Sequence, residues 1–145
     1  MIQIREMQWD DLDQVMEIES ACFTVPWTET GFFTFLIRDD TVFLVAEDDE
    51  KIFGYCGIVM AMDEGDITNV AVDASMRNQG IGKMLLTKLF EETENRGVKK
   101  IFLEVRESNA SAIHLYEKMG FVVTGRRKNY YEAPREDAIL MMHEA

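Results

Sequence analysis

Hydrophobic and polar positions change their spacing along the 145-residue chain, and the changes mark its elements. Ile2, Ile4 and Met7 among polar neighbours predict a first strand over residues 2–8. Asp10 fits the N-cap of a helix that turns Leu12, Val15 and Met16 inward, with Asp13 in its first turn. After the connection Cys22–Trp27, broken by Pro26, a second short helix carries Phe32, Phe33, Leu36 and Ile37. Thr41–Ala46 and Ile52–Met62 read as strands joined by the charged turn Glu47–Lys51. Gly54 and Gly57 inside the second predict bulges or close packing. Gly65 is expected in the next turn, and Ile67–Val72 as the strand after it.

From Ile81 the period lengthens to that of a helix. Ile81, Met84, Leu85 and Leu89 form its apolar stripe, with Lys83, Lys88, Glu91, Glu92 and Glu94 outside it and Gly97 as a stop. Lys99–Val105 follows as a strand. Asn109–Met119 is then a helix with Ala112, Ile113, Tyr116 and Met119 on one side and Gly120 at its C-cap. Phe121–Thr124 and Ala138–Met142 predict a closing pair of strands around Arg126–Asp137. The early meander requires antiparallel pairing, and strand–helix–strand–helix–strand from residue 66 onward requires parallel pairing. The fold class is therefore α/β, with a mixed central sheet and helices on both faces. Residues 1–145 are expected to form a single domain.

Composition narrows the function classes. Hydrophobic content of 47% beside 29% charged residues belongs to a folded globular chain, not a disordered one. The mixed N-terminus is no signal peptide, and no apolar run reaches membrane-spanning length. Cys22 and Cys56 have neither disulfide nor metal spacing, so they read as two buried thiols in a cytoplasmic protein. His114 and His143 lack metal-ligand spacing as well, so no metal is expected. A formal charge of −12 argues against a direct nucleic-acid partner. It suits attraction of a basic peptide, although acidic surfaces also serve solubility alone.

The candidate chemistry centres on Val70–Lys83, a strand end and turn followed by a glycine-bearing loop that opens a long helix. The first amides of a helix lack internal partners and lie at the positive end of its dipole. Gly80 and Gly82 leave the backbone open to a phosphate, or they form a loose helix start; spacing alone leaves both open. Strand alternation puts Ile101, Leu103 and Val105 on one face and Phe102 with Glu104 on the other. A desolvated Glu104 would have a raised pKa suited to a general base; the alternative is an ion pair with Arg106. Tyr116 is either a packed ring or a proton donor, and Asn109 suits an N-cap. Arg126–Tyr131 mixes basic and aromatic residues, too few for a nucleic-acid interface in so acidic a chain. Pro26-Trp27-Thr28 reads as a turn with a half-buried tryptophan.

Arg77-Asn78-Gln79-Gly80-Ile81-Gly82 resembles the Arg/Gln-x-x-Gly-x-Gly/Ala signature of the GNAT superfamily of acyl-CoA-dependent N-acetyltransferases. Phe102–Arg106, Ser108-Asn109-Ala110, Leu115–Phe121, Arg126–Tyr131 and Pro26-Trp27-Thr28 are similar to the RimI-type ribosomal-protein-alanine group within it. The resemblance implies the GNAT fold over the whole chain, with acetyl-CoA as cosubstrate. It implies cofactor contacts from Arg77, Asn78, Gln79, Gly80, Ile81, Gly82 and Lys83 at the pyrophosphate. Val70, Ala71 and Val72 would serve the pantetheine arm, and Asn109 would also touch the cofactor. Glu104 becomes the proton acceptor, Tyr116 the donor to the leaving thiolate, and Trp27, Tyr130 and Tyr131 the shapers of the peptide site. The implied partner is the basic N-terminal peptide of a small-subunit ribosomal protein, acetylated on an alanine α-amine by direct attack in a ternary complex. An α-amine, with pKa near 8 against about 10.4 for lysine, suits a modest base. Neither cysteine is set up as a nucleophile. A monomer or weak dimer, without a membrane partner, is expected. The alternatives are a GNAT enzyme for another protein or small amine, a non-catalytic acyl-CoA sensor, or a scaffold.

Overall fold

The computed structural model describes residues 1–144. Its strands are β1 (Gln3–Glu6), β2 (Thr41–Asp48), β3 (Lys51–Ala61), β4 (Glu64–Val72), β5 (Lys100–Arg106), β6 (Val122–Glu132) and β7 (Arg135–Glu144). Its helices are α1 (Leu12–Cys22), α2 (Glu29–Leu36), α3 (Ile81–Asn95) and α4 (Ala110–Lys118), with short 3-10 turns at Trp9–Asp11 and Ala74–Met76. The strands make one sheet in the order β1-β2-β3-β4-β5-β7-β6.

Parallel pairing is confined to β4 and β5; every other neighbouring pair is antiparallel. β5 and β6 do run in the same direction, but β7 lies between them. The closing hairpin is longer than its apolar residues predict. Its strands continue through Arg126–Asp137 to Glu132 and Arg135.

The helices cover both faces, as the alternation requires. On one face Leu85, Leu86 and Leu89 of α3 are fully buried against Leu44, Cys56, Ile58 and Leu103. Burying each such side chain contributes about 1.5–3 kcal/mol. On the other, Val15 and Ile18 of α1 and Phe32 of α2 pack on Phe43, Val45 and Tyr55. Met84, placed inward by the periodicity, is exposed, and Leu86 takes the buried place.

Three local expectations are corrected by longer-range contacts. The helix cap is Asp11 instead of Asp10, after the short 3-10 turn. Asp11 is held there by Arg5 at 2.7 and 2.8 Å and by the Gln8 amide at 2.7 Å. Gly65 is not in a turn but within β4, opposite Met60 and Ile101. A Cβ there would lie 2.6 Å from Ile58 Cδ1, so packing demands the glycine. The β2–β3 turn tightens to Asp49-Glu50, both in the left-handed region at φ 51° and 67°, as a two-residue hairpin needs. Gly57 faces Phe43, whose ring would sit 2.1 Å from an added Cβ, and a register shift opposite Phe53 supplies a bulge.

Candidate active site

The parallel pairing of β4 with β5 covers only Glu64↔Lys100, Gly65↔Ile101 and Asp66↔Phe102. Beyond Asp66 the two strands part. A bulge accounts for the divergence: Gly57 faces Asn69 and Ile58 faces Ile67, leaving Thr68 unpaired on β4. Such an insertion bends its strand away from the neighbour. The gap is a cleft of about 640 Å³ between Ile67–Val70 and Leu103–Arg106. α4 closes one side with Asn109, Ala112 and Tyr116. The α1–α2 connection contributes Cys22–Val25, and the β6–β7 hairpin contributes Tyr130–Pro134.

The loop before α3 is a run of turns. Asp73 accepts from the Ser75 amide at 2.9 Å, Asn78 takes φ 63°, and Gly80 takes φ 80° as the N-cap of α3. Nothing lies within 4 Å of a Cβ built on Gly80. The Met84 amide donates to Gly80 O at 3.0 Å, so the amides of Ile81, Gly82 and Lys83 precede the helix's own ladder. Ile81 buries its side chain in the core, so only its backbone can serve a ligand. Gly82 approaches α4, where an added Cβ would lie 2.8 Å from Leu115 Cδ2. Arg77 ties the loop to its surroundings, reaching Val72 O and Cys22 Sγ, each at 3.4 Å. Asn78, Gln79 and Lys83 are exposed. The open amides and the space at Gly80 fit a phosphate.

Glu104 opens onto the cleft instead of being sealed from water, which corrects the expectation of a desolvated strand acid. Its cation is Arg127, Nε to Oε1 at 3.7 Å, and not Arg106. Its negative charge governs its neighbours. Tyr130 is pushed up, first by the neighbouring Glu104 carboxylate and then by burial. Burial and then the charge of Glu104 push Tyr131 up to about 12 and raise Asp66 above the usual carboxylate range. Tyr116 is 7% exposed, and burial pushes its phenol upward, opposite to the lowering that would ease proton donation. Tyr116 lines the cleft. About two helical turns down, Asn109 caps α4 by accepting from the Ala112 amide at 3.2 Å.

A gap between splayed parallel strands, with an open helix terminus beside it, matches a known family. The model of the acetyltransferase (GNAT) family covers residues 12–121 of the chain. The chain belongs to that family. It is 41% identical over 134 residues to the ribosomal protein bS18-alanine N-acetyltransferase of Salmonella typhimurium, covering 90% of this chain and 89% of that protein. The crystal structure of the ribosomal-protein-S18-alanine N-acetyltransferase from Escherichia coli superposes with a TM-score of 0.91 at 36% identity. That match covers 99% of this chain and 94% of the other. PaiA N-acetyltransferase from Thermoplasma acidophilum, in complex with coenzyme A, shares the fold with a TM-score of 0.85 at 17% identity, covering 100% and 99%. The expected mixed-sheet GNAT fold is thus borne out, and the chain is an acetyl-transferring enzyme of a fold that uses acetyl-CoA.

In this GNAT chain the remaining predicted residues divide between the cleft and the core. Tyr130 and Tyr131 line the cleft with their rings at 5.1 Å and 83°. Val70 lines it too, whereas Ala71 is buried beneath the opposite face and Val72 offers its carbonyl to Arg77. The Trp27 ring stacks on Phe35 at 4.9 Å and tilts on Phe32 at 5.1 Å, so it supports the connection from below while Phe23–Val25 face the cleft. Among the described residues no group of three or more His, Cys, Asp or Glu side chains is gathered to hold a metal, and no helix is long and apolar enough to cross a membrane.

The sequence offers Arg106 only as a partner for Glu104, and it does not single out Glu19. Arg106 donates to Pro134 O at 2.9 Å, Ala133 O at 3.3 Å and Thr24 Oγ1 at 3.4 Å, and lies 4.3 Å over the Tyr131 ring. One guanidinium therefore joins the hairpin to the α1–α2 connection across the mouth of the cleft. Glu19 had a sequence signal. It lies four residues after Val15 on the inward stripe of α1, where a carboxylate is out of place.

Proposed function

We propose that this GNAT enzyme moves the acetyl group of acetyl-CoA to the α-amine of an N-terminal alanine on a small-subunit ribosomal protein. The observation that supports it most is the pairing of Glu104 and Tyr116 on β5 and α4, both lining the one cleft that opens between β4 and β5. Relatives over most of the chain's length that act on bS18 support the substrate.

Acetyl-CoA supplies the acetyl group as a thioester. The loop amides of Arg77–Lys83 would hold its pyrophosphate, and Val70–Val72, left without strand partners on the β5 side, would offer backbone groups to the pantetheine arm. Glu104, directly or through a water, takes a proton from the peptide's ammonium group so that the neutral amine can attack the thioester carbon. The carbon–sulfur bond then breaks, Tyr116 gives its proton to the sulfur, and the proton left on the amide nitrogen restores the tyrosine, directly or through a water. A raised pKa keeps the tyrosine protonated until thiolate charge develops beside it, so it acts as a late donor. The acceptor end of the cleft carries Glu104, Glu132 and Glu136, which suits a peptide rich in arginine and lysine. An enzyme that acts on a ribosomal protein would do so in the cytoplasm.

A thiol-release assay with acetyl-CoA tests the proposal. An alanine-starting basic peptide should turn over, and the same peptide with a blocked N-terminus should not. Turnover of small amines alone would keep the acetyl transfer and discard the peptide.

A further inference from the structure

Glu19 on α1 is 2% exposed, and the steps above leave it unused. Every partner donates to it: the Tyr55 hydroxyl and, at 3.3 Å, Asn69 Nδ2 to Oε1, and the Trp27 amide at 2.8 Å to Oε2. Three donors on two oxygens suit the ionised carboxylate, which is an acceptor only. Among the described residues no cation pairs with it. A buried anion held by neutral donors alone is costly, and a leucine would pack the inward face of α1 without that cost. A role beyond packing follows from where the donors sit. Tyr55 belongs to the sheet floor. Asn69, 8% exposed, stands beside the bulge that splits β4 from β5, and its own Oδ1 accepts from Thr68 Oγ1 at 2.8 Å. Trp27 ends the connection whose Phe23–Val25 form one wall of the cleft.

We propose that Glu19 is a positioning residue for the peptide acceptor: its carboxylate fastens the α1–α2 connection to the bulged strand and so sets the width of the peptide end of the cleft. This role rests on the peptide-acetylation function above. No residue of the pyrophosphate loop bonds Glu19, and the loop reaches the connection only through the 3.4 Å contact of Arg77 with Cys22 Sγ, so the effect falls chiefly on the peptide.

Glu19→Gln keeps the shape but points an NH₂ group at one of the donors. In the full-length protein its peptide KM should rise about tenfold or more, with kcat within about threefold and the coenzyme A Kd within about twofold of wild type. Simple loss of folded protein would instead scale kcat and leave KM alone. Tyr55→Phe, which removes only the donor on the sheet floor, should lower the melting temperature without moving the peptide KM. If Glu19→Gln does not fold, Asn69→Ala carries the test, with the same expected rise in peptide KM. Unchanged peptide KM in the variant measured, or an equal loss of coenzyme A affinity, overturns the role. Failure of the wild-type enzyme to turn over the alanine peptide overturns the peptide function and this role together. Wild-type turnover with an unmoved variant KM overturns the role alone.

Discussion

The loop before α3, beside the cleft, presents backbone, and the hairpin end of the cleft presents side chains. The loop end uses neighbours in sequence: Asp73 with Ser75, two left-handed residues at Asn78 and Gly80, and the Met84 amide on Gly80 O. The hairpin end is tied by residues remote in the chain. Arg106 reaches Thr24 and the Ala133–Pro134 turn, and Glu19 reaches Asn69 and the Trp27 amide. A site made of amides tolerates changes in side chains, because its donors survive any substitution that keeps φ and ψ. A site held by a few guanidinium and carboxylate contacts changes with single residues. If the loop holds the cofactor as proposed, the same backbone site would serve many acceptors, and selectivity would collect at the hairpin end.

The largest effect should come from the residue at the middle of the cleft. Glu104→Gln should lower kcat by about 10²-fold or more with little change in coenzyme A affinity, because only proton transfer is lost. Single-turnover kinetics beside a coenzyme A titration would check it, and equal activity would remove Glu104 as the base. Gly82→Trp should then break the loop end alone. The indole meets Leu115 and covers the open amides, so coenzyme A binding should vanish in calorimetry while the helical circular dichroism stays. Arg106→Ala is the mirror experiment. Losing the tie across the mouth should raise the peptide KM about tenfold and leave coenzyme A affinity within about twofold. Equal losses in both titrations would show that the two ends are not separable.

The same division explains what could be read from sequence. The amphipathic period of α3 apart from Met84, the alternation on β5, the Asn109 cap and the Gly120 stop are local, and they stand in the structure. Asp10 lost its place to Asp11 because Arg5, from another element, chose the carboxylate. Glu64-Gly65-Asp66 looks like a turn, but strands on both sides claim its backbone and Ile58 claims the space above Gly65. For Glu104 the visible partner was Arg106 on the same strand, whereas the actual one, Arg127, arrives on β6, which only the β7 crossover brings near. The direction of the Tyr116 shift depends on burial, which periodicity on one helix does not measure.

The smallest expected effect tests whether Asn109 belongs to one end or to both. Its side chain caps α4, and the same residue lines the cleft. Asn109→Ala should cost about 1 kcal/mol as a lost cap, a fall of a few degrees in melting temperature. Asn109→Asp keeps the acceptor and places a negative charge favourably at the helix N-terminus, so the melting temperature should return to near the wild-type value. The added charge would repel an anionic cofactor, so coenzyme A affinity should stay several-fold weak in the aspartate variant if Asn109 also faces it. Full recovery of both properties in Asn109→Asp would assign the residue to the helix alone. Recovery of stability without affinity would join the cap to the cofactor end and make α4, through Tyr116 about two turns further along the same face, the element that couples cofactor binding to catalysis.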